Sequence, residues 1–303
     1  MDTKIFIDGQ AGTTGLGIAQ RLQEAGEFSL ITLPDSDRKL PQARAEAMGQ
    51  ADVTVLCLPD EAAREAVALA PVGARILDAS TAHRLADGWV YGFAEALPGQ
   101  AQRIAKAARV ANPGCYATGA IALLRPLTSL GLLAPDAPVS LNAVSGYSGG
   151  GKTMIADHQD HNGPAFELYA LGLKHKHLPE IMRYGGLTRS PIFVPSVGHF
   201  AQGMLVCLPL FLEQLTISGT AANLAEAYAD YYAGQDCISV NRGLWNENLD
   251  PQSLNNTDRL EIFVCAHEKA GQAVLIAQLD NLGKGASGAA VQNIRLMTGE
   301  NHE

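Results

Sequence analysis

Apolar runs and helical spacings alternate along the first third of the chain. Lys4–Asp8 reads as a buried strand, and a glycine-rich turn follows it into a helix over Gly15–Glu24. Phe28–Leu33, Asp52–Leu58 and Arg75–Asp78 read as further strands, with helices over Pro41–Met48 and Asp60–Ala70. Strands alternating with helices predict a parallel, doubly wound sheet of the Rossmann type. An apolar helical run, Ala120–Leu130, comes next. From Val139 the texture changes: Val139–Val144, Ile192–Pro195, Gly203–Leu212, Leu260–His267 and Ala273–Leu279 are β-rich with few helices between them. That pattern predicts a second, α+β domain built on a largely antiparallel sheet. Leu215–Gly234 carries its apolar and alanine positions at helical spacing and predicts one helix. Gly285–Thr298 reads as helical again and could return to the first domain. The predicted class is therefore α/β plus α+β.

Composition narrows the function classes. The chain has 303 residues, 47% of them hydrophobic and 17% charged, enough apolar material for a substantial core. Its formal charge is −9, and no Lys/Arg cluster stands out. Nucleic acid and anionic membranes are poor partners for such a surface. No apolar run approaches the ~18 residues that span a bilayer. The opening Met-Asp-Thr-Lys-Ile-Phe-Ile reads as entering a strand at once, so no signal or transit peptide is expected. Five scattered cysteines, an odd number, suggest free thiols in a reducing cytoplasm.

One cysteine differs from the other four. Cys115 follows Ala111-Asn112-Pro113-Gly114, a turn sequence, and precedes a helical run. It should stand at a helix N-terminus, where unpaired N–H groups and the helix dipole favour a thiolate. Cys57, Cys207 and Cys265 lie in apolar strand-like runs, and Cys237 begins the short Cys-Ile-Ser-Val segment. These four read as small core residues.

Gly9-Gln10-Ala11-Gly12-Thr13-Thr14-Gly15 lies between the first strand and the first helix. It is a variant of the dinucleotide fingerprint, whose glycines let backbone N–H groups approach a pyrophosphate. Pro34-Asp35-Ser36-Asp37-Arg38-Lys39 follows the second strand. An acidic residue about 20 positions past the glycines favours NAD, and a nearby Arg favours a 2′-phosphate. Ser36, Arg38 and Lys39 together point to NADP(H), against Asp35. Residues 1–114 are accordingly read as the dinucleotide-binding domain, with 285–303 possibly returning to it. Residues 115–284 are read as the catalytic and oligomerisation domain.

Gly146 to Thr153 matches the P-loop pattern G-x-x-x-x-G-K-[ST] after a strand, which taken literally means a nucleotide hydrolase or kinase. Its position in the β-rich half favours a loop that holds a substrate phosphate instead. His158, His161, His175 and His177 could ligate metal by type, but their spacing matches no structural zinc pattern, and no metal is expected. His177, in Lys174–Ile181, is the better general acid/base candidate. A phosphotransferase and a catalytically silent NADP-binding regulator remain as alternative readings.

Taken in order, Gly9–Gly15, Leu77–Arg84 with Tyr91-Gly92, Asn112–Gly119, Ser145–Lys152, His175–Ile181 and Asn281–Gln292 resemble N-acetyl-γ-glutamyl-phosphate reductases. The likeness is to the shorter form of that family, within the aspartate-semialdehyde dehydrogenase-like superfamily. Thr13 stands where the wider family has Tyr or a similar residue, and His83 where it has an aromatic. The resemblance implies NADPH-dependent reduction of an acyl phosphate to an aldehyde in arginine biosynthesis, with release of inorganic phosphate. It implies Cys115 as nucleophile and His177 as proton carrier. For substrate it suggests Arg84, Ser145, Ser148, Lys152 and His175. For cofactor it suggests Gly9, Gly12, Thr13, Thr14, Gly15, Ser36, Arg38, Lys39, Ser80, Asn281 and Gly285. The related aspartate-semialdehyde enzymes would place the proton carrier nearer His199; the Lys-His-Lys-His-Leu-Pro-Glu-Ile run favours His177. The expected partners are the small acyl phosphate, inorganic phosphate and further copies of the chain.

Overall fold

The computed structural model describes residues 3–160, 163–216 and 220–299. The chain divides into two compact units. The first takes the described residues up to Ala94, Pro98–Pro113 and those from Ala286 onward; the second takes Glu95–Leu97 and Gly114–Gly285.

The first unit holds a six-stranded, all-parallel sheet. Its strands are β1 (Thr3–Asp8), β2 (Phe28–Ile31), β3 (Val53–Leu56), β4 (Ile76–Asp78), β5 (Val90–Tyr91) and β6 (Arg109–Ala111). They lie in the order β2-β1-β3-β4-β6-β5. The helices are α1 (Thr13–Ala25), α2 (Pro41–Gln50), α3 (Asp60–Leu69) and α4 (Gln100–Lys106). Continuous apolar strands such as Val53–Leu56 are buried throughout, as strands covered on both faces must be. The last helix, α9 (Gly288–Thr298), packs Ala290, Val291, Ile294 and Met297 against Ile5, Val55 and Leu77 of this sheet.

The second unit is built on seven strands in the order β11-β12-β13-β10-β7-β9-β8. These are β7 (Ser140–Gly146), β8 (Phe166–Leu168), β9 (Ile192–Gly198), β10 (Met204–Phe211), β11 (Ile238–Leu244), β12 (Leu260–His267) and β13 (Gln272–Leu279). The β11–β12 and β7–β9 pairs are parallel and the other four antiparallel. Its helices are α5 (Cys115–Ser129), α6 (Gly151–Asp160), α7 (Leu178–Gly185) and α8 (Ala221–Tyr231). Helix α5 is buried almost all round, as its Ala/Leu/Ile composition requires of a core helix.

The predicted helix over Leu215–Gly234 is shorter in the structure. Leu215 bridges Leu133 and the Thr216 N–H donates to Leu132 O, so that backbone is committed to an extended pairing before the helix. Helix α8 begins at Ala221. The helical reading of Gly285–Thr298 also divides: Gly283–Ser287 forms a wide π-helical turn, and α9 follows it.

Candidate active site

Cys115 is the first residue of α5, with Gly114 as an extended N-cap. The N-cap offers no side chain, so nothing from that residue competes for the first-turn N–H groups. Gly285 packs directly on the cysteine: a Cβ there would lie 2.9 Å from Cys115 Cβ, closer than any side chain tolerates. The four other thiols are pushed up, mainly by burial: Cys57 to about 12, Cys207 to about 11, Cys237 and Cys265 in the same direction.

A histidine and tyrosine cluster surrounds the start of α5. The Tyr116 ring meets His175 edge-on at 5.8 Å and lies 6.1 Å from His177, while its O–H donates to Ser196 O at 2.8 Å. His175 Nδ1 accepts the His177 backbone N–H at 3.1 Å, and Tyr169 Oη lies 3.2 Å from His175 Nε2. With Nδ1 acting as acceptor, the neutral ring carries its proton on Nε2 and donates it to Tyr169. Burial, then the neighbouring Lys176 charge, pushes the His175 pKa down to about 4. Burial raises Tyr169 to about 12, and a charge on Cys115 would add to that shift.

His177 caps α7, whose first turn contains Pro179 as the sequence suggests. One residue that sequence reasoning missed completes this corner. Glu180 is buried; its Oε2 accepts the Gly114 N–H at 3.3 Å, and its Oε1 lies 3.9 Å from His177 Nε2. One carboxylate thus touches both the turn before Cys115 and the imidazole of His177. Its place three residues past His177, on a helical first turn, was the available signal.

Ser145 is the last residue but one of β7, and Tyr147–Gly150 forms a tight turn into α6, so the P-loop-like segment does have a strand–turn–helix setting. Ser145 and Ser148 are buried, whereas Lys152 is exposed on the first turn of α6. Asn281 holds this loop: its Nδ2 donates to Ser148 Oγ at 2.9 Å and its Oδ1 accepts the Gly203 N–H at 2.8 Å. His199 lies with His158, Nδ1 to Nδ1 at 2.9 Å, rather than in the His175–His177 cluster. Among the described residues no group of three or more His, Cys, Asp or Glu could hold a metal ion. His161 lies outside them.

In the first unit, Gly9–Gly15 turns at the carboxyl ends of β1 and β3, where the strand order changes direction, the usual ligand position in such sheets. Gly9 has φ +88°, and a Cβ there would meet Cys57 O at 2.3 Å. Thr13 and Thr14 open α1, so their N–H groups belong to the orphan first turn. These features fit a dinucleotide pyrophosphate. Ser36, Arg38 and Lys39 are exposed beyond β2. Asp35 pairs with Arg38 at 2.8 Å on the open surface, and such exposed pairs are weak and readily exchanged. Ser80 is occupied internally: its Oγ donates to Asp78 at 2.7 Å and accepts the Ala82 N–H at 3.1 Å. The same Asp78 binds His83 Nδ1 at 2.6 Å, and the His83 ring stacks on Trp89 at 4.2 Å. Arg84 is buried, its Nε donating to Asn112 O at 3.0 Å.

Residues 115–281 match the family model of the semialdehyde dehydrogenase dimerisation domain. Aspartate semialdehyde dehydrogenase II of Vibrio cholerae, in complex with ASA, superposes with a TM-score of 0.71 over 100% of both chains at 14% identity. The Candida albicans aspartate semialdehyde dehydrogenase with NADP gives 0.66 over 98% of this chain and 99% of that one, at 13% identity. These likenesses show a shared fold. Closer in sequence are the N-acetyl-gamma-glutamyl-phosphate reductases of Brucella ovis and Brucella canis. Each is 51% identical over 310 aligned positions, covering 99% of this chain and all of the relative. An identity of that size, from end to end, places the chain in the N-acetyl-gamma-glutamyl-phosphate reductase family.

Proposed function

We propose that this chain reduces N-acetyl-γ-glutamyl phosphate to N-acetylglutamate semialdehyde and inorganic phosphate, a step of arginine biosynthesis, through a thioester on Cys115. The observation that carries the reading is the cysteine itself: a thiol on the first residue of a buried helix, beside a histidine cluster, in a full-length member of this family.

Cys115 Sγ attacks the acyl carbon, and the carbon–oxygen bond breaks with its electrons leaving on phosphate. His177 takes the thiol proton as the thioester forms. Bound NADPH supplies the hydride that reduces the thioester carbonyl. His177 then lends its proton to the resulting oxyanion and recovers it as the carbon–sulfur bond breaks, freeing aldehyde and thiolate. Glu180 orients that imidazole and anchors the turn before the nucleophile. Neutral His175 positions Tyr169 and the His177 backbone. Lys152, Ser145 and Ser148 form the loop for the substrate phosphate, and Arg84 serves as a second cation for the substrate. Gly9–Gly15 and Thr13–Thr14 hold the cofactor pyrophosphate, with Ser36, Arg38 and Lys39 for the 2′-phosphate. Asn281 and Gly285 act on the cofactor side by shaping backbone: Asn281 through the Ser148 loop, Gly285 through its contact with Cys115.

Two finer points belong to the same reading. All five cysteines are free thiols, which suits a reducing cytoplasm. Among the described residues no helix is long and apolar enough to cross a membrane. The chain works as a homo-oligomer, paired through the second unit's sheet. One face of that sheet presents Leu205, Pro209, Val274, Ile276, Val144 and Val194, all half-exposed. The family match to a dimerisation domain, residues 115–281, spans all of these strands and supports a second copy of the chain as the occupant.

The test is an NADP-dependent assay run in reverse, from N-acetylglutamate semialdehyde with phosphate, beside aspartate semialdehyde. Reduction of NADP with the first and not the second is expected. Turnover of aspartate semialdehyde alone would move the substrate assignment to the related dehydrogenases.

A further inference from the structure

We propose that His158 and His199 form a protonation-dependent latch on the loop Tyr147–Lys152. The consequence for catalysis rests on the reading of that loop as a phosphate site; the latch itself rests on geometry. His158 is buried near the end of α6 and His199 is exposed just past β9. Their Nδ1 atoms are 2.9 Å apart. The Tyr147 ring stacks on His158 at 4.7 Å and 14°, and Gly163 packs against the same imidazole, where a Cβ would lie 3.0 Å from the ring. Beside this cluster the Tyr147 and Ser148 N–H groups donate to Phe200 O and Ala201 O at 3.0 and 3.1 Å. The loop is thus tied both to the turn after β9 and to α6.

A hydrogen bond between two imidazole Nδ1 atoms needs one N–H and one lone pair. The bonded pair can carry no charge or one, never two. A second proton removes the remaining lone pair and sets two cations against each other at contact distance. His199, being exposed, can then leave for water, whereas His158 is enclosed. The neighbouring titratable groups are Tyr147 on the loop, Asp157 and Asp160 on α6, and Glu167 on β8, which pairs with Val197 of β9. None of them can restore the lone pair that the second proton removes. The latch is therefore closed while the pair holds at most one extra proton and opens when acidification adds the second.

The experiment uses the full-length enzyme and the variants His158→Phe and His199→Phe. Phenylalanine at 158 keeps a ring for Tyr147 to stack on while deleting Nδ1. Hydrogen exchange at the Tyr147 and Ser148 amides, corrected for intrinsic rates, is read from pH 5 to pH 8 beside KM for inorganic phosphate. In the wild type, protection should fall by roughly five- to ten-fold on acidification, the worth of one such hydrogen bond, with KM for phosphate rising in parallel. Both variants should show the acid values already at pH 8, with kcat within about two-fold, and no further pH dependence of protection. Unchanged protection in both variants would overturn the latch. Protection that responds while KM stays flat in these variants and in Lys152→Ala supports the latch and overturns the phosphate reading of the loop.

Discussion

His175 and His177 stand two positions apart and have different chemical prospects. His175 is held neutral, its pKa pushed down to about 4 chiefly by burial. In the unfolded chain it would protonate near the ordinary 6.5. Between those values the unfolded state binds the extra proton, so this group's contribution to stability is whole above pH about 6.5. It is lost as pH falls through about 4. Denaturant unfolding of wild type and His175→Phe from pH 7 to pH 4 should show a gap in acid sensitivity; parallel curves would contradict the burial argument. Neutral His175 cannot supply a titrating limb above pH 5, so that limb should belong to His177. His177→Asn should lower kcat by roughly 10²–10⁴-fold and flatten it, as loss of a general acid–base does. The same pattern in His199→Asn, and not in His177→Asn, would transfer the role. Cys115 was legible because Asn-Pro-Gly before an apolar run dictates a turn and then a helix. Tyr169 was not, because its importance lies in tertiary neighbours; of Glu180 the sequence showed only the three-residue spacing from His177, not its bond to the Gly114 N–H.

At the scale of elements, the first βα unit follows its sequence closely. Apolar Lys4–Asp8, then a glycine turn, then a helix is a local instruction, and the structure carries it out with Gly9 in the left-handed region. The helix starts at Thr13 rather than Gly15, which brings two threonine N–H groups into the first turn. The loop after β2 was legible as chemistry but not as pairing: sequence sets Asp35 against Arg38 as rival signals for two cofactors, whereas the fold joins them in one surface ion pair. A bound 2′-phosphate offers the planar fork of Arg38 a doubly charged partner in place of Asp35. Arg38→Ala should therefore raise KM for NADPH by about ten-fold or more and change KM for NADH little, in line with one lost charge-assisted contact. Equal effects on both would show that Arg38 serves the loop and not the phosphate. Leu215–Gly234 failed as one helix because its periodic side chains could not report that the Thr216 N–H is used by Leu132.

At the scale of the molecule, the change from alternating to β-rich texture marks two kinds of sheet, and both kinds are present. Pattern could not reveal that Glu95–Leu97 belongs with the second unit. There Glu95 Oε1 receives Lys284 Nζ at 2.7 Å, a fully buried ion pair made across 189 positions of sequence. The alternating burial of β10 and β13 leaves one sheet face half-exposed and apolar, which a lone protomer would pay for in solvent exposure. Ile276→Glu and Leu205→Glu should each shift the wild-type oligomer toward monomer in sedimentation velocity, with little change in unfolding midpoint measured at low concentration. Variants that keep the wild-type sedimentation coefficient would remove this face from the assembly.

The central claim is a covalent acyl enzyme on one cysteine. It is tested by mixing the enzyme with N-acetyl-γ-glutamyl phosphate in the absence of NADPH, then measuring released phosphate and the mass of the acid-quenched protein. One phosphate per chain and an N-acetylglutamyl adduct mapped to the Cys115 peptide are predicted, with neither in Cys115→Ala. Phosphate release without an adduct, or an adduct on Cys57, Cys207, Cys237 or Cys265, would contradict the account.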